Sequence, residues 1–297
     1  MNGNNKIMNQ DAQMILPRKE LRISITSKCN MKCVYCHNEG NSKSAELNIE
    51  NIREIVEEAV HYGLTSVRLT GGEPLLHPEI EKICEILAGE YGLKIGINTN
   101  GILICKLLPL ISTGMVVRVV VGIDYYDNVV SKQSPVGVPA RTILENVRKV
   151  KDAGADVCID VVYQDNYENI ANIVRWGIEN RVRVKIIEQV KRDIQNPKNP
   201  SYEAMIWAIS KEFGLRCEKD VMGESNGYLG DFRAVSFFHS LCRLRDCETC
   251  RRYMPLRITA DAILKPCIIC TENDIALYEN GIKSGFESML KNYSCRK

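Results

Sequence analysis

Between residues 21 and 190, short apolar runs alternate six times with stretches of helical periodicity. The runs are LRISIT (21–26), SVRLT (66–70), LKIGI (93–97), VVRVVVGI (116–123), DVCIDVVY (156–163) and VRVKIIEQV (182–190). Between the first two, Ile52, Ile55, Val56, Ala59 and Val60 recur at the spacing of one helix face, and Gly63 follows as a C-cap. Ile80, Ile83, Cys84, Leu87 and Ala88 repeat the pattern, as do Ile143, Leu144, Val147 and Val150, and then Ile170, Ile173, Val174 and Ile178. Strands that are apolar almost throughout, joined by helices, predict a parallel sheet covered by those helices. Right-handed crossovers leave an open doubly wound sheet or a partial barrel, and the pattern does not choose between them.

Past residue 190 the pattern changes. KRDIQNPKNPS (191–201) reads as a linker, a helix follows near 202–213, and residues 217–297 hold seven of the thirteen cysteines. The expected organisation is an extension over 1–20, an α/β unit over 21–190, a linker and helix over 191–216, and a cysteine-rich unit over 217–297 that closes one side. A net charge of +2 points to neither nucleic acid nor a membrane surface as partner, and no apolar run could span a bilayer. The first 15 residues lack the apolar stretch of a secretory signal. An odd number of cysteines without such a signal favours metal ligation in a reducing, cytoplasmic setting over a disulfide framework. Cys84, Cys105 and Cys158 lie in apolar stretches and read as buried thiols.

Directly after the first run stands CNMKCVYC, which places Cys29, Cys33 and Cys36 on one loop leaving a strand. Three thiolates can hold three corners of a cubane iron–sulfur cluster that normally takes four, leaving one iron open to a small molecule. A zinc knuckle is the alternative, although zinc sites usually pair C-x2-C units. TGGEP (70–74) follows the second run: two glycines permit close backbone approach to a ligand, and Glu73 offers an acceptor. NTNG (98–101) follows the third run and GID (122–124) ends the fourth. Near the C-terminus, CETC and CIIC form two C-x2-C units, with Cys242 and Cys295 close by. On spacing alone, a four-thiolate zinc ribbon fits this second group.

At the triad, with Tyr35 just before its last cysteine, the chain resembles the radical S-adenosylmethionine (radical SAM) superfamily. The resemblance implies a partial (β/α)6 TIM-type barrel with a small C-terminal cysteine-rich iron–sulfur domain. It also implies a [4Fe-4S] cluster on Cys29, Cys33 and Cys36 whose open iron chelates S-adenosylmethionine, and reductive cleavage to a 5′-deoxyadenosyl radical. By the same resemblance Tyr35, Gly71, Gly72, Glu73, Pro74, Asn98, Gly122 and Asp124 fall at cofactor contacts. CETC followed by LRITADAILKPC is similar to the C-terminal part of the GTP 3′,8-cyclase family. That likeness implies an auxiliary [4Fe-4S] cluster on Cys247, Cys250 and Cys267, with Cys270 or Cys242 completing or replacing a ligand. Arg22, Arg68 and Arg257 match the family's nucleotide-binding arginines. Other family contacts are lost: a serine falls at Gly122, a lysine at Cys158, and the chain ends SCRK without the family's Gly-Gly tail. Fewer matched cations imply a less charged substrate than GTP or a different pose. The expected activity is hydrogen abstraction from a nucleotide-like or other small-molecule substrate, with electrons from a donor such as flavodoxin or ferredoxin. A peptide or amino-acid substrate, true GTP cyclisation and a non-catalytic zinc-binding regulator are the alternatives.

Overall fold

A computed structural model describes residues 14–33, 35–40, 44–126, 138–189, 200–220, 224–239, 250 and 254–292. Cys242, Cys247, Cys295 and most of the 191–201 linker lie outside the described residues. All six runs are strands: β1 (Glu20–Thr26), β2 (Ser66–Gly71), β3 (Lys94–Thr99), β4 (Val116–Gly122), β5 (Asp156–Tyr163) and β6 (Arg183–Glu188). Each pairs in parallel with the next. Between and after them lie the helices α1 (Ile49–His61), α2 (Ile80–Glu85), α3 (Leu108–Ser112), α4 (Ala140–Asp152), α5 (Tyr167–Glu179) and α6 (Pro200–Glu212). Asn48 and Asn51 form a reciprocal capping box that starts α1, satisfying two otherwise orphaned N–H groups. Ile52, Ile55, Val56 and Ala59 of that helix are buried, whereas Val60, grouped with them by periodicity, is 41 % exposed.

Residues beyond 215 add six more strands, and they do not gather on one side. β7 (Arg216–Lys219), β8 (Ser225–Leu229) and β9 (Phe232–Phe238) form an antiparallel ribbon whose last strand pairs in parallel with β6. β10 (Leu256–Ile258) pairs in parallel with β1, and β11 (Ile263–Lys265) and β12 (Ile275–Ala276) continue outward from it. The sheet order is therefore β12-β11-β10-β1-β2-β3-β4-β5-β6-β9-β8-β7. The expectation that 217–297 closes one side is corrected: the segment extends both edges, with Cys217 on β7 at one and Cys250, Cys267 and Cys270 beside β10 and β11 at the other. Two helices finish the described chain, α7 (Leu277–Asn280) and α8 (Ile282–Asn292). Phe286 of α8 stacks on Tyr62 just past α1, with ring centroids 5.7 Å apart.

The two faces of the sheet differ sharply. Leu21, Ile23 and Ile25 alternate on one face of β1, with Val67 and Leu69, Ile95 and Ile97, Val119 and Val121, Ile159 and Val161, and Val184 and Ile186 on the strands that follow. All are buried, in one core with the helices. At about 25 cal/mol per Å2 of apolar surface removed from water, this face supplies the main stabilisation of the fold. Strand side chains alternate between faces, so the other face takes Arg22, Arg68, Asn98, Arg118, Cys158, Asp160 and Lys185. Val120 and Val162 share that face, so it is mixed but far more polar than the first.

Candidate active site

Strand register draws the cations of the polar face into one row. Arg257 lies beside Arg22, Arg22 beside Arg68, Arg68 beside Gly96 and Gly96 beside Arg118, while Lys265 flanks Arg257 on β11. Like charges on adjacent strands repel, and acids offset them. Glu20 sits 3.1 Å from Arg68, Asp156 sits 2.8 Å from Arg118, and Asp274 pairs with Lys265. Glu39 accepts from Arg22 Nη2 at 2.6 Å and from Arg257 Nη1 at 2.7 Å. Burial pushes the Glu39 carboxyl up, but the two guanidiniums outweigh it and hold the group below the usual carboxylate range. Burial, with Arg22 as a like-charged neighbour, brings Arg257 down to about 10.

The cysteine loop leaves the C-terminal end of β1 and is braced from three strands. Gly72 N–H donates to Thr26 O at 2.7 Å, and Glu73 N–H donates to Lys28 O at 2.8 Å. A Cβ on Gly71 would stand 2.1 Å from Thr26 O, and one on Gly72 would stand 2.2 Å from Lys28 O. The glycines thus let the end of β2 clasp the cysteine loop, a closer demand than the ligand approach expected from sequence. Glu73 has a structural duty as well. It is fully buried at 0 % exposure, accepting from Thr99 Oγ1 at 2.7 Å, Leu75 N–H at 3.1 Å and Asn100 N–H at 2.7 Å. Burial raises its carboxyl above the ordinary value against the pull of these donors. Inside the protein the carboxylate ties the end of β2 to NTNG, with Oε2 taking a single donor. Pro74 is buried at the head of the following 3-10 turn, where its fixed φ suits the first helical position.

Asn100 extends the brace. Its amide donates to Asn30 Oδ1 at 2.6 Å and also contacts Cys29. On the far side Tyr35 O–H donates to Asp124 Oδ2, while Val162 N–H donates to the other oxygen at 3.1 Å. Burial raises both the Asp124 carboxyl and the Tyr35 phenol. Two residues expected at cofactor contacts therefore also contact each other. Asn98 Oδ1 is buried with no hydrogen-bond partner among the described residues. Gly122 is exposed, and a Cβ placed on it would meet nothing nearer than Thr99 O, at 3.9 Å. Both lie on the polar face near the loop, where a ligand would find an acceptor and room.

The thiols fit an iron–sulfur group by their donors. Met31 N–H donates to Cys29 Sγ at 3.3 Å and Asn38 N–H donates to Cys36 Sγ at 3.2 Å. Such bonds stabilise thiolate charge and tune clusters. Cys29, Cys33 and Cys36 act on one another electrostatically; burial, then Asp124, pushes Cys33 up to about 11, and burial raises Cys29. Metal ligation must therefore drive those protons off. Among the described residues no three donors close round a single metal ion; a cluster instead takes each thiolate on a separate iron.

The described cysteines of the second group lie at the opposite end of the strands. Cys250 precedes β10, and Cys267 and Cys270 follow β11, which returns antiparallel to that same end. Ile269 and Cys270 N–H both donate to Cys267 Sγ at 3.3 Å. Cys250 is close enough to Arg257 to act on its charge. The cation row thus runs between the two groups. Cys84 and Cys158 are buried as expected, Cys105 partly so, and Cys158 meets Arg183 on the polar face. Sequence reading missed Glu39, Asn100, Asn30 and Asp156. Asn100 was within reach as the third residue of NTNG; a lone Glu39 in a polar turn carried no signal.

Residues 23–177, more than half of the chain, match the radical SAM superfamily, and the chain belongs to it. It is an enzyme of that class. Within it, the chain is similar to a GTP 3′,8-cyclase of Thermodesulfovibrio yellowstonii, 30 % identical over 84 % of this chain and 81 % of the relative. A probable GTP 3′,8-cyclase of Methanosarcina acetivorans is 30 % identical over 91 % of this chain and 84 % of its own length. Among solved structures, Streptococcus suis SuiB bound to precursor peptide SuiA superposes with a TM-score of 0.66 at 18 % identity, covering 91 % of this chain and 65 % of SuiB. The chain thus spans less than two thirds of that structure's length. Native anSMEcpe with bound AdoMet and Cp18Cys peptide superposes with a TM-score of 0.58 at 16 % identity, over 90 % of this chain and 81 % of the other. These likenesses establish an α/β fold with a mixed, largely parallel sheet of the radical SAM kind.

Proposed function

We propose that the polar face is the inside of a partial (β/α)6 barrel and that Cys29, Cys33 and Cys36 at its mouth hold a [4Fe-4S] cluster that binds S-adenosylmethionine. The observation that carries this reading is the braced cysteine loop, with backbone N–H groups on its sulfurs and an unpartnered Asn98 Oδ1 and an open Gly122 on the same face. When bound, the cluster and S-adenosylmethionine supply reductive cleavage to a 5′-deoxyadenosyl radical. The protein supplies position and dryness around the substrate C–H bond, which keeps a reactive species on course. Tyr35, the Gly71–Pro74 backbone, Asn98, Gly122 and Asp124 shape the cofactor's place. Cys250, Cys267 and Cys270, with Cys247, hold an auxiliary [4Fe-4S] cluster at the far end of the strands.

Between these ends Arg22, Arg68 and Arg257 receive a nucleotide-like or other small-molecule substrate, which is oxidised, cyclised or rearranged. The acids Glu39, Glu20, Asp156 and Asp274 already offset most of the row's charge. A triphosphate would meet few unanswered cations while these pairs stand, which favours a substrate with fewer anionic groups than GTP or a different pose. Electrons come from a flavodoxin- or ferredoxin-type donor in the cytoplasm, and neither nucleic acid nor membrane takes part. Among the described residues no helix is long and apolar enough to cross a membrane. Anaerobic reconstitution tests the proposal. Two clusters give about eight irons per chain, and reduction with S-adenosylmethionine releases 5′-deoxyadenosine. Protein that takes up one or two zinc ions, stays colourless and releases none overturns it. Incubation with GTP, read for a cyclised product, tests the narrower cyclase reading.

A further inference from the structure

One ion pair on the polar face differs from its neighbours. Glu20 and Asp156, which answer Arg68 and Arg118, are strand residues, and Asp274, which answers Lys265 alone, stands one residue before β12. Glu39, which answers Arg22 and Arg257 together, belongs to neither of their strands. It comes from the turn Asn38–Gly40, just past Cys36, and reaches down to the cation row. Asn38 and Glu39 hold φ values of 49° and 48°, a left-handed conformation that glutamate seldom adopts. One carboxylate faces two guanidiniums, so the unit keeps one positive charge. Arg22 Nε is buried with no hydrogen-bond partner among the described residues. The pair thus has donor capacity that the Glu39 carboxylate leaves unused, in a place already poor in water.

We infer that Glu39 is a stand-in for an oxyanion of the substrate: it occupies Arg22 and Arg257 while the polar face is empty, and a phosphate or carboxylate group of the substrate replaces it. The inference rests on reading the polar face as the substrate chamber. Replacement of one anion by another never leaves the arginines buried and unanswered, which would be costly. A phosphate brings more acceptor oxygens than Glu39 and can reach Arg22 Nε as well. Release also lets the turn leave its left-handed conformation. Because that turn begins two residues after Cys36, arrival of the substrate is transmitted to the cysteine loop. Glu39 thereby selects for charge: a group without an anion cannot displace it.

The test uses reconstituted full-length protein without S-adenosylmethionine or reductant. Inorganic phosphate and, separately, acetate are titrated by calorimetry into wild type, Glu39→Gln and Arg257→Met. Removing the internal competitor is expected to tighten binding of the preferred oxyanion at least tenfold, and Arg257→Met is expected to abolish it. Preference for phosphate assigns a phosphate-bearing substrate, and preference for acetate a carboxylate-bearing one. Iron content and circular dichroism verify folding, and Glu39→Asp, one methylene shorter, gives an intermediate gain should Glu39→Gln fold poorly. Unchanged affinity in Glu39→Gln, unchanged affinity in Arg257→Met, or binding to none of the three proteins overturns the inference. Failure of the radical SAM assignment would show instead as missing 5′-deoxyadenosine, which this titration does not read.

Discussion

The two cysteine groups sit at opposite ends of the same strands, and they are supported differently. The N-terminal loop is clasped by Gly71 of β2 and Gly72 just past it, by Asn100 beyond β3, and through Tyr35 by Asp124 beyond β4. The described part of the C-terminal group leans on β10 to β12, strands of three, three and two residues at one edge of the sheet. A centre that must hold a reactive cofactor in one pose benefits from rigid, hydrogen-bonded support. A centre that only orients substrate or passes an electron tolerates less.

The sharpest test of that contrast is to remove one sulfur from each group. Cys33→Ala is expected to cut 5′-deoxyadenosine release at least about 100-fold, whereas Cys267→Ala leaves that release within a few fold and lowers iron content. Equal losses of release would break the distinction. Next in size is Gly72→Ala, whose Cβ would press on Lys28 O and Ser27 O. It should cost about 3 kcal/mol or more in chemical denaturation, because backbone rather than a flexible side chain must yield. Iron content at the first group should fall with it.

Smaller effects sharpen the role of the brace. Glu73→Gln keeps the shape but turns an acceptor into a donor opposite Thr99 or Asn100, at about 1–3 kcal/mol read from the unfolding midpoint. Glu39 gives the pH signature. Its carboxyl lies below the ordinary value when folded, so its contribution is fully present above about pH 4.3 and is lost as pH falls through the folded value. The stability gap between wild type and Glu39→Gln should therefore hold from neutral pH to the top of the carboxylate range and then close. A gap that persists at lower pH would mean that packing rather than charge holds the turn.

Much of this was legible in the sequence for a simple reason. The six central strands bury one face against helices, and burial writes a periodic signal: β1, β4 and β5 fall within a residue of their expected bounds. The edge strands wrote no such signal. β10 needs Leu256 and Ile258 to meet Leu21 and Ile23, and no local pattern in three residues announces a partner so distant. The motifs identified the right stretches but not every duty those residues carry. Glu73 sits where expected, yet the chain closes around it, because the GGEP turn carries its side chain between the ends of β2 and β3. The cation row was legible only as scattered arginines; register, which lines up Arg257, Arg22 and Arg68, makes it a feature.

The pairing of Leu21 with Leu256 has a consequence in time. A chain made at about 5–20 residues per second exposes β1 some tens of seconds before β10 is synthesised. Throughout that interval the strand that carries Cys29, Cys33 and Cys36 has a bare flank, free to zip onto foreign chains. Production at a low level of expression with abundant iron and sulfide, which keeps unfinished chains apart while the loop matures, is the condition under which this protein should be recovered whole.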